Sequence, residues 1–321
     1  MNPPAFWSAP EPTMLARLLA PLSTLYGAAT ARRVARPGWR APVPVLCCGN
    51  ATVGGAGKTT LTLDLGERLI ARGVRVAFLT RGYGGGGSAG VLRADPARHA
   101  YTAVGDEALL LAALAPTYVA ADRAAAARAA VAEGAQALLM DDGLQNPTLA
   151  KTVSFMVIDG AAGFGNGCVL PAGPLREPVA AAASRCAAGV LIGEHAREAM
   201  ASLPPALPIL RAHLESAFVP PARVYAFAGI GRPAKFFDSL AVAGAEIAGT
   251  AAFPDHHPYS TADIARVLAE AALLGAVAVT TPKDFVRLQA DQAEQVQPVG
   301  VRLIWDDPAA IAAWLDRLMQ P

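Results

Sequence analysis

The chain has 321 residues, a formal net charge of +1, 53% hydrophobic residues and only 17% charged ones, so no global field recruits nucleic acid and no nucleic-acid partner is expected. Its four cysteines show neither metal-ligand spacing nor a disulfide framework, which places the chain in a reducing compartment. The longest apolar runs, 18–30 and 108–121, are too short to span a bilayer and each contains a proline; the start, Asn2-Pro-Pro-Ala-Phe-Trp7, lacks the basic region of a signal peptide.

Residues 1–40 do not read as part of a nucleotide fold. From Thr13 a helical pattern gathers Leu15, Leu18, Leu19, Leu22, Leu25 and Tyr26 toward one side, with Arg17, Arg32, Arg33, Arg36 and Arg40 mostly at its far end. This suits a helix lying in the interface of an anionic membrane. It equally suits a helix packed on its own domain, kinked at Pro21.

An apolar β-type run from Pro42 to Cys48 then leads into Gly49-Asn-Ala-Thr-Val-Gly-Gly-Ala-Gly-Lys-Thr-Thr60, followed by Leu61, Leu65 and Leu69 at helical spacing. Strand, glycine-rich loop and helix in this order make a phosphate site: backbone N–H groups turn inward, and the helix N-terminus adds its dipole. The candidate nucleotide-binding residues are Thr52, Val53, Gly54, Gly55, Ala56, Gly57, Lys58, Thr59 and Thr60. Lys58 is placed to reach the outer phosphates and Thr59 to ligate magnesium, while Thr52 stands where the usual pattern has glycine.

A second buried strand, Val74 to Thr80, ends in the glycine-rich loop from Arg81 to Gly87, at the sheet edge where ligands bind; Arg81 is placed to meet a phosphate, the alternative being a flexible surface loop. Asp106 and Glu107 open the next helix, either as capping carboxylates or as base and metal ligand. After a strand at 117–120 and an alanine-rich helix, the strand Ala137 to Met140 ends in Asp141-Asp142, the usual carboxylate partner of a phosphate loop. Another strand, Val153 to Asp159, an irregular segment from Gly160 to Pro178 and a strand at 189–193 complete this part.

The proline-marked boundary at 219–221 introduces strands at 224–228, 246–252, 276–280 and 301–305 that alternate with helices. Phe253-Pro-Asp-His-His-Pro-Tyr259 has too few further ligands for a structural metal, and one of its histidines is placed to relay protons for a carboxylate across the interdomain cleft. Lys283 is either functional or a solvated first-turn lysine. The fold expected is α/β: a phosphate-loop NTPase-like parallel-sheet domain over 41–219 and a smaller α/β domain over 220–321, preceded by the helix of 1–40.

Taken together, the chain resembles the tetraacyldisaccharide 4'-kinase family of lipid A biosynthesis over nearly its whole length. The stretches that carry the resemblance are Pro21 to Gly27, Gly49 to Thr59, Arg81 to Gly84, Val104 to Glu107, Asp141 to Gln145, Leu170 to Glu177, Ala226 to Pro233 and Phe253 to Tyr259. The resemblance implies an ATP- and Mg2+-dependent kinase at the cytoplasmic face of a Gram-negative inner membrane. It would phosphorylate the 4'-hydroxyl of a tetraacylated glucosamine disaccharide 1-phosphate, giving lipid IVA, and it favours the membrane reading of the first helix; a monomer is expected. By the same resemblance Asp106 is the base and His256 its partner, Lys58 and Asp141 serve catalysis, and Thr59, Glu107 and Asp142 stand on the magnesium side. Closure of the cleft is expected to bring His256 to Asp106.

Two positions depart from the family pattern. Asn146 replaces a histidine, and Pro282 replaces a glutamate in Thr281-Pro-Lys-Asp284. A rival reading, a phosphate-loop GTPase switch, requires an Asn-Lys-x-Asp that the sequence lacks, and a soluble small-molecule kinase leaves the first helix without a task.

Overall fold

The computed structural model describes residues 4–86, 90–194, 200–216 and 223–320; Gly87 and the boundary at 219–221 lie outside them. A short 3-10 turn, Ala5–Ser8, precedes the 21-residue helix α1, Met14–Val34, capped by the Thr13 side chain and carrying Pro21 within it. Helix α1 turns its small residues inward: Ala16, Ser23 and Thr30 are buried, whereas Leu18 is 76% exposed and Leu25 68%. Ser23 Oγ accepts a hydrogen bond from Ala172 N at 3.1 Å, which ties the small face to the irregular segment after Gly160. Leu15, Leu18, Leu22 and Leu25 are therefore exposed, while the helix itself packs on its own domain through its small face.

The large sheet begins with β1, Val45–Gly49, and continues through α2 (Lys58–Ile70), β2 (Val76–Thr80), β3 (Leu92–Ala94), α3 (Tyr101–Val104), α4 (Asp106–Ala112), β4 (Thr117–Val119), α5 (Arg123–Ala132), β5 (Ala137–Asp141), β6 (Val153–Asp159), α6 (Val179–Ala183), β7 (Ala188–Ile192) and β8 (Ile209–Ser216). Strands β1, β2, β5 and β7 are buried at every position. Helices cover both faces of a parallel sheet, so its strands read as unbroken apolar runs. Leu61, Leu65 and Leu69 of α2 recur on one helical face and pack with Leu46, Phe78 and Leu139, the residues that alternate onto that side of the sheet.

The smaller sheet takes β9 (Arg223–Ala228), α7 (Pro233–Val242), β10 (Glu246–Ala252), α8 (Thr261–Leu273), β11 (Val277–Thr280), two short helices, α9 (Pro282–Phe285) and α10 (Ala290–Ala293), and β12 (Gln297–Pro298), with strand order β10-β9-β11-β12. The α/β class, with a large mainly parallel sheet and a second smaller one, is as expected. The last strand is not: β13, Val301–Trp305, pairs antiparallel with β8 at the edge of the large sheet. The helix after it, α11 (Pro308–Met319), buries Ile311 and Leu315 against the same core as α2. Trp305 Nε1 donates to Asp64 of α2 at 2.8 Å, a contact that repays burying the indole there. The chain thus leaves the large sheet, builds the small one and returns.

The large sheet reads β13-β8-β7-β6-β1-β5-β2-β4-β3. Strand β1 sits between β5 and β6, so the loop after β1 opens beside the carboxyl ends of both neighbours.

Candidate active site

The loop between β1 and α2 carries left-handed glycines at Gly54 (φ 106°) and Gly57 (φ 85°). A side chain at Gly57 would come within 2.9 Å of Ile192, whereas Gly54 and Gly55 face open space, which leaves the cradle free for a ligand. The irregular segment braces this loop from outside: Val53 N donates to Pro174 O at 2.8 Å and Arg176 N to Ala51 O at 2.7 Å. Lys58, the first residue of α2, donates Nζ to Gly54 O at 3.3 Å.

Asp141 ends β5 directly beside Cys48 of β1. Its Oδ2 accepts from Thr59 Oγ1 at 2.9 Å and its Oδ1 from Thr62 Oγ1 at 3.3 Å. Burial, reinforced by the charge of Glu107, pushes the Asp141 carboxyl up to about 7 against the pull of Lys58. The next residue, Asp142, has a left-handed backbone (φ 52°) and turns away into a two-pronged ion pair with Arg176 at 2.7 and 2.8 Å. Burial acts upward on Asp142 too, but Lys58, 3.9 Å away, and Arg176 outweigh it and hold its pKa below the ordinary carboxylate value. Adjacent carboxylates with opposite displacements suit different tasks.

Across from this loop, Asp106 opens α4 and is 2% exposed. Gly105 before it has φ 86°, and a side chain there would meet Tyr83 O at 2.6 Å, so the Arg81 loop and the start of α4 lie against each other. Asp106 Oδ2 takes His256 Nδ1 at 3.0 Å and Arg287 Nη2 at 3.1 Å, both from the segment that builds the small sheet. Burial raises the Asp106 carboxyl, but the hydrogen bond from His256 and the charges of Lys283, His256 and Arg287 more than offset it, and its pKa falls. The same hydrogen bond raises the pKa of His256 against burial. His256 has φ 56°, a conformation that non-glycine residues adopt only when the surroundings enforce it. Its imidazole lies 5.8 Å from the Tyr83 ring. The contact expected on cleft closure is therefore already made.

His257 is placed elsewhere: it stacks on Phe253 and meets Asp263 at 3.2 Å. Glu107 pairs with Lys283 at 2.7 Å, so Lys283 is not simply a solvated first-turn lysine; Glu107 and Asp106 hold it charged against the cost of its burial. Of the residues expected on the magnesium side, Thr59 meets Asp141, Glu107 meets Lys283 and Asp142 meets Arg176; among the described residues no group of three or more His, Cys, Asp or Glu side chains is placed to hold a metal ion. Asn146 forms a turn, accepting from Thr148 N and Oγ1 at 3.0 and 2.9 Å. Pro282 sits in the first turn of α9, where Thr281 caps and no N–H is needed.

Two cations, Arg287 and Lys235, escaped the sequence reading, and two more, Arg232 and Arg176, lay within stretches that carried the resemblance but were given no partner there. Arg287 lies one helical turn after Asp284 with no motif to mark it, yet it is 4% exposed and bridges Asp284 and Asp106. Arg232 and Lys235, at the start of α7, both meet Asp159 at the end of β6. Arg176 lay within a stretch that carried the resemblance, although its partner Asp142 gave no sign of the pairing.

A family model described as Tetraacyldisaccharide-1-P 4'-kinase matches residues 15–320. The chain belongs to the tetraacyldisaccharide-1-P 4'-kinase family. A relative from Gluconacetobacter diazotrophicus named Tetraacyldisaccharide 4'-kinase is 57% identical, with 99% of each chain covered. One of the same name from Rhodospirillum centenum is 49% identical over all of this chain and 96% of its own length. A crystal structure described as the "apo" form of LpxK from Aquifex aeolicus in complex with ATP superposes with a TM-score of 0.76 over 96% of this chain and 100% of that one, at 24% identity, a likeness of fold. Membership in the 4'-kinase family thus covers both sheets and most of α1.

Proposed function

We propose that this chain transfers the γ-phosphate of ATP to the 4'-hydroxyl of a tetraacylated glucosamine disaccharide 1-phosphate, as a monomer at the cytoplasmic face of the inner membrane of a Gram-negative bacterium. The observation that carries the reading is the buried Asp106 carboxylate, held by His256 and Arg287 in the half of the site opposite the phosphate loop, in a chain of this family. Phosphoryl transfer asks for placement, neutralised charge and one base for the acceptor hydroxyl.

In this reading residues 52–60 cradle the phosphates through backbone N–H groups, and Lys58 moves from Gly54 O onto the outer phosphates. Thr59 and Asp141, a hydroxyl and a carboxylate already in contact, are hard oxygen donors that fit magnesium and would hold it. Bound there, the ion would neutralise charge on the phosphate oxygens. Glu107 and Asp142, engaged by Lys283 and Arg176, take the outer positions.

Asp106 accepts the proton of the 4'-hydroxyl, and His256 shares it through the bond on Oδ2. An ionised, low-pKa Asp106 is ready to accept at neutral pH, and the approach of the phosphates raises its proton affinity toward the task. The two sheets act as two domains with this pair at their junction, the chain returning to the larger one at Val301. Helix α1 meets the bilayer through Leu15, Leu18, Leu22 and Leu25, with Arg32 and Arg33 suited to anionic headgroups. That placement follows the substrate, whose acyl chains cost about 0.8 kcal/mol per CH₂ to bring into water.

The test is product analysis by mass spectrometry and 31P NMR after incubation with ATP, magnesium and the tetraacyldisaccharide 1-phosphate in micelles. A lipid heavier by one phosphate, with a second phosphomonoester resonance, is expected. Hydrolysis of ATP with unmodified lipid would refute the assignment.

A further inference from the structure

We infer that a cavity at the foot of α1 is a second anion site, separate from the nucleotide loop, that takes one phosphate group carried on a small alcohol or on a membrane lipid. The cavity has a volume of about 460 Å³, and Arg36, Leu149, Lys151, Thr152, Arg185 and Cys186 are among the residues that line it. Lys151 and Thr152 immediately precede β6, at the amino edge of the large sheet, whereas the phosphate loop leaves the carboxyl edge of β1. The two sites therefore lie at opposite ends of the strands.

Three cationic side chains line the cavity and no carboxylate does. Among the described residues Arg185 alone of the three is in an ion pair, with the buried Glu177 at 2.6 Å and 2.8 Å. Lys151 donates to the Asn146 carbonyl oxygen, and among the described residues no carboxylate lies within ion-pair distance of Lys151 or Arg36. A partly buried ammonium without a counter-charge is costly, and an anion in the cavity removes that cost. Burial already pushes the Lys151 pKa down. The volume exceeds what a monatomic ion fills and accommodates a phosphate with a glycerol-sized alcohol. Arg36 follows directly after α1, so an occupant carried on a lipid would meet the cavity next to the helix whose leucines are exposed.

The cavity also communicates with the catalytic loop. Arg185 holds Glu177, Glu177 accepts from Gln145 Nε2 at 2.8 Å, Gln145 Oε1 accepts from Arg176 at 3.4 Å, and Arg176 holds Asp142. An anion competing for Arg185 acts on the far end of that chain.

The experiment is calorimetric titration of the full chain carrying Lys58→Ala, which weakens phosphate binding at the nucleotide loop, with inorganic phosphate and, separately, with dihexanoyl phosphatidylglycerol. Dihexanoyl phosphatidylcholine is the zwitterionic control. Saturable binding is expected, weakened about tenfold or more by adding Lys151→Gln and, in a second variant, Arg36→Gln, each with unchanged melting temperature. Binding of phosphatidylglycerol alone identifies a membrane source, and binding of both ligands identifies the phosphate itself as sufficient. Absence of binding by either ligand, or affinity unchanged in both added variants, overturns the inference. The outcome is independent of the phosphoryl-transfer assignment, because no acceptor sugar or ATP is present.

Discussion

Arg287 donates to Asp106 at 3.1 Å with both side chains almost sealed from water, so a charge from the small-sheet segment joins the His256 hydrogen bond and Lys283 in lowering the pKa of a carboxylate on the large one. Removing one partner of such a pair strands the other; Arg287→Met is expected to destabilise the fold by about 3 kcal/mol. It also withdraws one of the charges that lower the Asp106 pKa, so the acid limb of the pH–rate profile should move upward, with kcat falling about tenfold or more and KM for ATP little changed. Arg287→Lys should recover part of both. An unshifted acid limb in folded Arg287→Met would separate Arg287 from the base.

The Asp106–His256 pair carries a pH signature of its own. Asp106 has a lowered folded-state pKa, so its contribution is present above the unfolded value and lost as pH falls through the folded one. His256 has a raised pKa, so its contribution is complete below about 6.5 and lost as pH rises through its folded value. Denaturant titrations across pH should show the pair stabilising most where Asp106 is ionised and His256 protonated. His256→Gln should flatten the alkaline side of that curve.

Arg232 and Lys235 grip Asp159 across the junction between β6 and α7. Burial acts to raise the Asp159 carboxyl, but the two cations hold its pKa down. Neutralising the shared partner should loosen the junction: a spin-label pair, one on α5 and one on α8, is expected to report a longer and broader distance distribution in Asp159→Asn. Superimposable distributions would show that these ion pairs do not set the separation.

The exposed leucines of α1 give a prediction about membranes without one about folding. Leu18→Ser and Leu25→Ser should leave the melting temperature within about 1 °C, since surface changes alter stability little. Each should weaken binding to anionic vesicles about tenfold, the consequence of losing roughly 1.5–3 kcal/mol of buried side chain. A variant that destabilises the protein but binds vesicles normally would return the stripe to an internal packing role.

The large sheet was legible because its buried strands are short apolar runs bounded by turn signals, and the phosphate loop because its glycines and Lys58 occur between a strand and a helix. Strand β8 was missed: its sequence, Ile-Leu-Arg-Ala-His-Leu-Glu-Ser, alternates weakly and leaves three residues in succession exposed beside the edge strand β13. Strand β13 was visible as a strand but not as a member of the large sheet, because pairing partners 85 to 93 residues apart leave no local trace in either segment. Asp106 and His256 were named through resemblance. Arg287 needed the structure, since an arginine in a helical turn looks alike whether it points to solvent or into a carboxylate 181 residues earlier in the chain.

The central claim is that Asp106 is the base for phosphate transfer to a lipid hydroxyl, and the direct measurement follows γ-labelled phosphate from ATP into tetraacyldisaccharide 1-phosphate in detergent micelles, wild type against Asp106→Ala. General-base catalysis contributes about 10²–10⁴-fold, so the account predicts labelled lipid from the wild type and a loss of that order in the variant, with ATP affinity retained. Equal rates of lipid labelling by the two proteins would contradict it.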